Sequence, residues 1–240
     1  MERIEKFLTQ NGICSRQDAK RLIRQKKVSV NGELVQKAGF KIDPRTAKVV
    51  VNGMEVAPSE QNCFLILNKP KGYITSREDP SGLPTVYELL PLGVPQNIHA
   101  VGRLDVESTG LLLFVSSGEL THRLTHPKHH IEKEYEVVIS GRLADTTKAR
   151  LENGVPLEGV LTKPCRIAIK AYSAQAEQTL LNITLTEGKH RQIRRMFGNL
   201  DLPVLALKRI RLGQISLEDL TEGHTRMLTD PEKDFLTGIQ

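Results

Sequence analysis

Gly102-Arg103-Leu104-Asp105-Val106-Glu107-Ser108-Thr109-Gly110-Leu111-Leu112-Leu113-Phe114 sets a carboxylate beside an arginine in a turn that runs into an apolar strand. A loop there would present Asp105 outward. An Asp between strands is commonly a turn former or helix cap, so its surroundings decide its meaning. Upstream, residues 98–101 are strand-like, and residues 111–115 form the strand that follows. Ser116-Ser117-Gly118-Glu119 then caps a helix toward His126. Further back lie an apolar strand at 63–67, the turn Lys69-Pro70-Lys71-Gly72, and a Thr85-Val86-Tyr87-Glu88 capping box before Leu89-Leu90. Apolar alternation at 164–171 and 179–185 marks half-buried strands, the latter with Leu181, Ile183 and Leu185 on one face. Strands interleaved with short helices predict a mixed α+β unit, its sheet largely antiparallel and its helices flanking.

The N-terminal segment reads differently. Ile4, Phe7 and Leu8 recur at helical spacing, Gly12 stops that helix, and Ser15-Arg16-Gln17-Asp18 opens a second one through Gln25. With about 100° per residue, Ala19, Leu22 and Ile23 form its buried face, and Arg16, Lys20, Arg21 and Arg24 fan over the other. Val28-Ser29-Val30-Asn31-Gly32-Glu33-Leu34-Val35 predicts a hairpin through Asn-Gly, a device repeated at Lys48-Val49-Val50-Val51-Asn52-Gly53.

Charge separates the two regions. Residues 1–58 hold 12 Lys and Arg against 6 acids, whereas the remainder balances at 22 of each, so all of the net +6 lies in the first segment. A small basic module beside a neutral domain points to a polyanion partner. Arg16, Lys20, Arg24, Lys26 and Lys27 are its candidate RNA contacts. The 240 residues suffice for two domains without staples, and Cys14, Cys63 and Cys165 lack any CxxC spacing, which predicts reduced thiols and a cytoplasmic address. The charged start Met1-Glu2-Arg3-Ile4-Glu5-Lys6 is no signal peptide, and no apolar run approaches the ~18 residues of a membrane span.

A second basic cluster, Gly188-Lys189-His190-Arg191-Gln192-Ile193-Arg194-Arg195-Met196-Phe197, follows the strand at 179–185. Helical spacing turns Ile193, Met196 and Phe197 inward and spreads Lys189, Arg191, Arg194 and Arg195 outward. Lys208, Arg209 and Arg211 follow in a strand-like segment. His122 and His126 stand at i, i+4, but Pro127 breaks the helix and no matching ligand set follows, so no metal is expected.

Residues 1 to about 56 resemble an S4 RNA-binding domain, with Ser15-Arg16 opening its second helix and Val28-Ser29-Val30-Asn31-Gly32 closing its RNA-facing surface. Leu67-Asn68-Lys69-Pro70-Lys71-Gly72-Tyr73, Gly102-Arg103-Leu104-Asp105 and residues 188–197, with Glu132-Lys133-Glu134-Tyr135 between the last two, resemble the RsuA-type family of ribosomal RNA pseudouridine synthases. That resemblance implies a small αα-β S4-like domain at 1–58, a linker at 59–62 and a catalytic domain at 63–240. It implies isomerisation of uridine to pseudouridine without a cofactor, on ribosomal RNA or a ribosome-assembly intermediate, by a monomer.

Within that resemblance Asp105 is the catalytic carboxylate, as nucleophile at C1′ or base at C2′. Tyr135 matches the active-site tyrosine that packs on uracil, and Arg194 the basic residue that pairs with the carboxylate. The target base must leave its stack, and Arg103 and the basic helix are expected to hold phosphates and fill the vacated space. Lys189, Arg191 and Arg195 complete the expected RNA contacts, and Lys69 is expected either to be structural or to contact a phosphate. The Met196-Phe197 ending and His129-His130 lean toward a small-subunit target, although Arg191-Gln192-Ile193-Arg194-Arg195-Met196 also occurs in large-subunit relatives. Two other functions compete: a noncatalytic RNA-binding or ribosome-assembly protein, and an N-glycoside hydrolase that would need Glu107 as its second carboxylate.

Overall fold

In the computed structural model, residues 1–56 and 63–239 are described, so the expected linker at 59–62 lies outside the described residues. The chain divides into two compact units. The first comprises Met1–Cys63 with Gly93–His99 and Val115–Glu119, and the second Phe64–Leu92, Ala100–Phe114 and Leu120–Gln240.

In the first unit β1 (Glu2–Arg3) leads into α1 (Ile4–Gln10), and α2 (Arg16–Arg24) follows. Ser15 caps α2, its hydroxyl accepting from the Asp18 N–H at 3.1 Å. The strands are β2 (Val28–Val30), β3 (Glu33–Leu34), β4 (Lys41–Ile42), β5 (Val49–Val51) and β6 (Met54–Val56). β4 pairs with β1, and the other four form a sheet in the order β3-β2-β5-β6. Both Asn-Gly turns have the double positive φ that a tight hairpin demands, 51° and 87° at Asn31-Gly32 and 51° and 81° at Asn52-Gly53. Ile4, Phe7, Leu8, Ala19 and Ile23 pack with Val28, Val49 and Val51 as one core. That packing leaves Arg16, Lys20, Arg24, Lys26 and Lys27 exposed.

The second unit begins with β7 (Phe64–Lys69); β8 (His99–Ala100) and β9 (Thr109–Val115) flank the Asp105 turn, and α3 (Gly118–Thr125) follows. Then come β10 (Lys133–Ser140), α4 (Asp145–Asn153), the short pair β11 (Pro156–Leu157) and β12 (Val160–Leu161), β13 (Arg166–Ser173) and β14 (Gln178–Leu185). α5 (Gln192–Gly198), β15 (Val204–Leu212), β16 (Ile215–Ser216), β17 (Thr225–Met227) and α6 (Asp230–Thr237) complete it. The sheet order is β13-β14-β10-β15-β9-β7-β17, with β15–β9 parallel and the β13–β14, β14–β10, β10–β15 and β7–β17 pairs antiparallel. This is the mixed, largely antiparallel α+β architecture expected.

Position in the sheet explains each strand's exposure. Leu111, Leu112, Leu113, Phe114 and Val115 are all fully buried, as a central strand covered on both faces requires. β14 buries alternate residues, Leu181, Ile183 and Leu185 against Ile193, Met196 and Phe197 of α5. The alternation expected at 164–171 buries Cys165 and Ile167 and stops there, because β13 lies at the sheet edge and its remaining residues are exposed. Capping places the Thr85 signal as read, on a single 3₁₀ turn (Val86–Leu89) with both capping-box bonds made.

Candidate active site

The Asp105 turn is held from below. Leu104 is buried, its N–H donating to the Thr75 hydroxyl at 3.2 Å, and that hydroxyl donates to the Leu104 carbonyl at 2.9 Å. The Gly72 N–H reaches the Val106 carbonyl at 2.9 Å, and the Ser108 N–H closes the turn on the Asp105 carbonyl at 3.0 Å. Lys69 supplies the central tie. It is fully buried, and its ammonium donates to the carbonyls of Ser108 at 2.8 Å, Pro70 at 3.0 Å and Val106 at 3.5 Å. Of the two roles expected of Lys69, structural support and phosphate contact, burial leaves the first, because its charge is engaged inside the protein by the loop that carries Asp105. Burial pushes its pKa down to about 8, with the Asp105 and Glu222 carboxylates pulling the other way.

At the β9–β15 junction, where Gly110 pairs with Arg209, φ is +101° at Gly110 and a Cβ would run into the Arg209 backbone carbonyl. Only glycine fits this approach. The strand entry, and with it the end of the Asp105 turn, is set there.

Above the turn opens a cleft of about 650 Å³, lined by Arg103, Asp105, Tyr135, Lys189 and Arg191 among others. The Asp105 side chain is one-third exposed, and Tyr135 is half-buried against the core of α5 and β14. Arg191, not Arg194, stands nearest the carboxylate, with Nη1 at 3.9 Å from Asp105 Oδ2. Arg194 turns aside: its Nη1 donates to the Val204 carbonyl at 3.1 Å, and its Nε lies 3.8 Å from Glu107. The expected Asp105–Arg194 pair is thus not formed, because the Arg194 guanidinium is held by the Val204 carbonyl and Glu107. A continuous helix over 189–197 would put residues 191 and 194 on one face, but Arg191 adopts a left-handed conformation, φ 49° and ψ 34°, and the helix starts only at Gln192.

Glu107 accepts from Arg191 Nη2 at 3.3 Å and so joins both guanidiniums. The hydrolase reading needs this carboxylate to activate water; its engagement with two arginines gives it another task. Arg195 pairs with Glu158 at 2.9 Å, and the Lys189 ammonium donates to the Leu161 carbonyl at 3.1 Å. Arg103 is exposed on the cleft wall. In the first unit, Arg21 pairs with Asp18 at 2.8 Å, whereas Arg16, Lys20, Arg24, Lys26 and Lys27 make no ion pair among the described residues. His122 and His126 stack with ring centroids 5.4 Å apart, and among the described residues no cluster of three or more His, Cys, Asp or Glu could hold a metal ion. No helix among the described residues is long and apolar enough to cross a membrane.

Comparison with known proteins gives this geometry its class. Residues 63–199 match the RNA pseudouridylate synthase family, and residues 2–46 match the S4 domain. Ribosomal small subunit pseudouridine synthase A of Escherichia coli K12 is 39% identical, covering 96% of this chain and 97% of the relative. Ribosomal large subunit pseudouridine synthase B of Bacillus subtilis is 34% identical over 100% of this chain and 97% of its own. A solved pseudouridylate synthase superposes with a TM-score of 0.68 at 33% identity, covering 98% of this chain and all of the other. The chain belongs to the RNA pseudouridylate synthase family, with an N-terminal S4 domain, and its class of reaction is isomerisation of uridine to pseudouridine.

Proposed function

We propose that this protein converts a uridine of ribosomal RNA to pseudouridine, with the small-subunit RNA as its target. The observation that carries the reading is the Asp105 carboxylate, displayed in the cleft between Tyr135 and Arg191 on a loop tied down by Lys69 and Thr75. A fixed carboxylate acts at the ribose as nucleophile on C1′ or as base at C2′. Arg191 stands 3.9 Å from it, close enough to attract the carboxylate. The C1′–N1 bond breaks, the uracil turns while bound, and C5 joins C1′ as its proton passes to solvent, so the step needs no redox partner. Tyr135 offers a ring against the uracil.

The exposed cations of α2 and the following turn would bind the RNA backbone, and Arg103 would hold the strand from which the uridine is extruded. The units act within a single monomeric chain, residues 1–58 serving RNA binding and 63–240 catalysis, on free ribosomal RNA or an assembly intermediate in the cytoplasm. Arg195 and Lys189 complete the RNA-facing side of the basic segment. Asp105→Asn tests the assignment: pseudouridine formation is abolished while RNA affinity stays within a few-fold, since the carboxylate adds little to phosphate contact. Turnover near wild type would refute it. Mapping pseudouridines in both ribosomal RNAs from a strain lacking the protein identifies the subunit; a missing large-subunit site would reassign the target to that of the Bacillus relative.

A further inference from the structure

The cleft adjoins a second cavity of about 160 Å³, which shares Arg103, Thr125, Tyr135 and Glu187 with it. There is room for one pyrimidine ring and not for a nucleoside. Its wall carries three cations, the exposed Arg103 and, deeper, Lys133 and Arg209. Lys133 lies two residues before Tyr135 on β10 and therefore on the same face, and Arg209 stands opposite Tyr135 on β15.

Neither of the deeper two has a counter-charge. Arg209 is 3% exposed; its Nε donates to the Leu111 carbonyl at 2.7 Å, and its Nη2 has no hydrogen-bond partner among the described residues. The Lys133 ammonium donates to the Ile131 carbonyl at 3.0 Å, and neither side chain makes an ion pair among the described residues. Burial and the neighbouring Arg209 push the Lys133 pKa down to about 8, so it stays mainly protonated at neutral pH. The one carboxylate on the wall, Glu187, is occupied, accepting from the Lys163 N–H at 3.0 Å and from Gln192 Nε2 at 2.6 Å. A buried and a half-buried cation without an anion are costly to hold together, and a ligand that brings negative charge relieves that cost.

We propose that Lys133 and Arg209 form an anion site that receives the charge released on uracil when its glycosidic bond breaks. The inference rests on the isomerase reading above. As C1′–N1 breaks, its electron pair goes to the base, which becomes a monoanion delocalised over O2 and O4; meanwhile either C1′ bonds to an Asp105 oxygen, or C2′ loses H2′ to that oxygen and a C1′–C2′ double bond forms. Cations fixed where charge develops lower that barrier. The turned base then attacks through C5, Asp105 or the proton is returned, and H5 leaves to solvent while N1 is protonated, so atoms and electrons balance.

Arg209 variants risk unfolding through the lost bond to Leu111, so Lys133 carries the test. The probe is ribosomal RNA from cells lacking the enzyme, containing uridine or 5-fluorouridine; the fluorinated base is the more stable leaving anion but cannot shed its C5 substituent, so turnover on both RNAs is read as consumption of the N-linked nucleoside. Lys133→Gln should lower kcat by about 10²-fold, the scale of one lost charge-stabilising donor, with KM within a few-fold. Lys133→Arg should recover part of the rate, and the Lys133→Gln deficit should shrink at least ten-fold on the fluorinated RNA. A raised KM with kcat kept and the same deficit on both RNAs would mean that the cavity holds an RNA phosphate, overturning the proposal. A lowered unfolding midpoint with kcat kept would make Lys133 a structural cation and would overturn it equally. Wild-type protein consuming no uridine would overturn the isomerase reading as well, which separates the two failures.

Discussion

A single residue's task in this site follows from which atoms its charge can reach. Arg191 reaches Asp105 and Arg194 does not, so Arg191→Ala should cut turnover by about 10²-fold, comparable with loss of one preorganised donor, and exceed the effect of Arg194→Ala. Arg191→Lys should recover only part, because an ammonium lacks the planar fork. Steady-state kinetics of the three variants check this; a larger loss at Arg194 would mean that RNA binding rearranges the pair. Lys69 makes a different forecast. An exposed lysine titrates near ~10.4, whereas burial holds Lys69 at about 8. Between these values the unfolded chain binds more protons than the folded one, so unfolding free energy rises with pH across that window, and the unfavourable contribution is fully present below it. The stability of wild type relative to Lys69→Met should therefore improve from pH 8 to pH 10 in denaturant titrations. A gap that stays constant would show that the Lys69 ammonium is not desolvated.

At the scale of elements, the parallel contact between β9 and β15 is the most demanding junction. Gly110→Ala must overcome both a positive φ and overlap with the Arg209 carbonyl, a combination expected to cost about 2–4 kcal/mol. Chemical denaturation measures that loss, and a stable variant would mean that β9 shifts freely. Cys165 shows what the sheet edge protects. Its thiol is 8% exposed and donates to the Leu151 carbonyl, and burial, aided by Glu152 and Glu187, pushes its pKa up to about 12. Only the thiolate alkylates readily. At pH 8, iodoacetamide should label Cys165 in denaturant and leave it unlabelled in native protein, as peptide mapping would show.

The whole molecule couples an exposed basic unit to a cleft of mixed charge. Arg16, Lys20 and Arg24 are exposed on α2, so replacing all three with Ala should flatten the slope of log affinity against log salt by about two to three units, close to one per lost phosphate contact. Turnover at saturating RNA should persist. An unchanged slope would make that face solvated surface alone.

Local rules settled much of this in advance. Ser15 and the paired Asn-Gly turns determine the first unit because a cap and a tight hairpin depend on residues a few positions apart. The turn that carries Asp105 ahead of an apolar strand was legible from its motif, and the alternation of β14 from its period of two. Lys69, Arg191 and Arg194 were not, since each role depends on distant partners. Carbonyls at Val106 and Ser108 turn Lys69 from a surface contact into an internal tie. The Val204 carbonyl and Glu107 hold Arg194 away and leave Arg191 nearest Asp105. The unpaired cations Lys133 and Arg209 meet only because β10 lies beside β15. The sequence by itself determined the caps, turns, periodicity and family; tertiary structure decided which charges face one another, because charge pairing depends on separation in space, and strand order sets that separation.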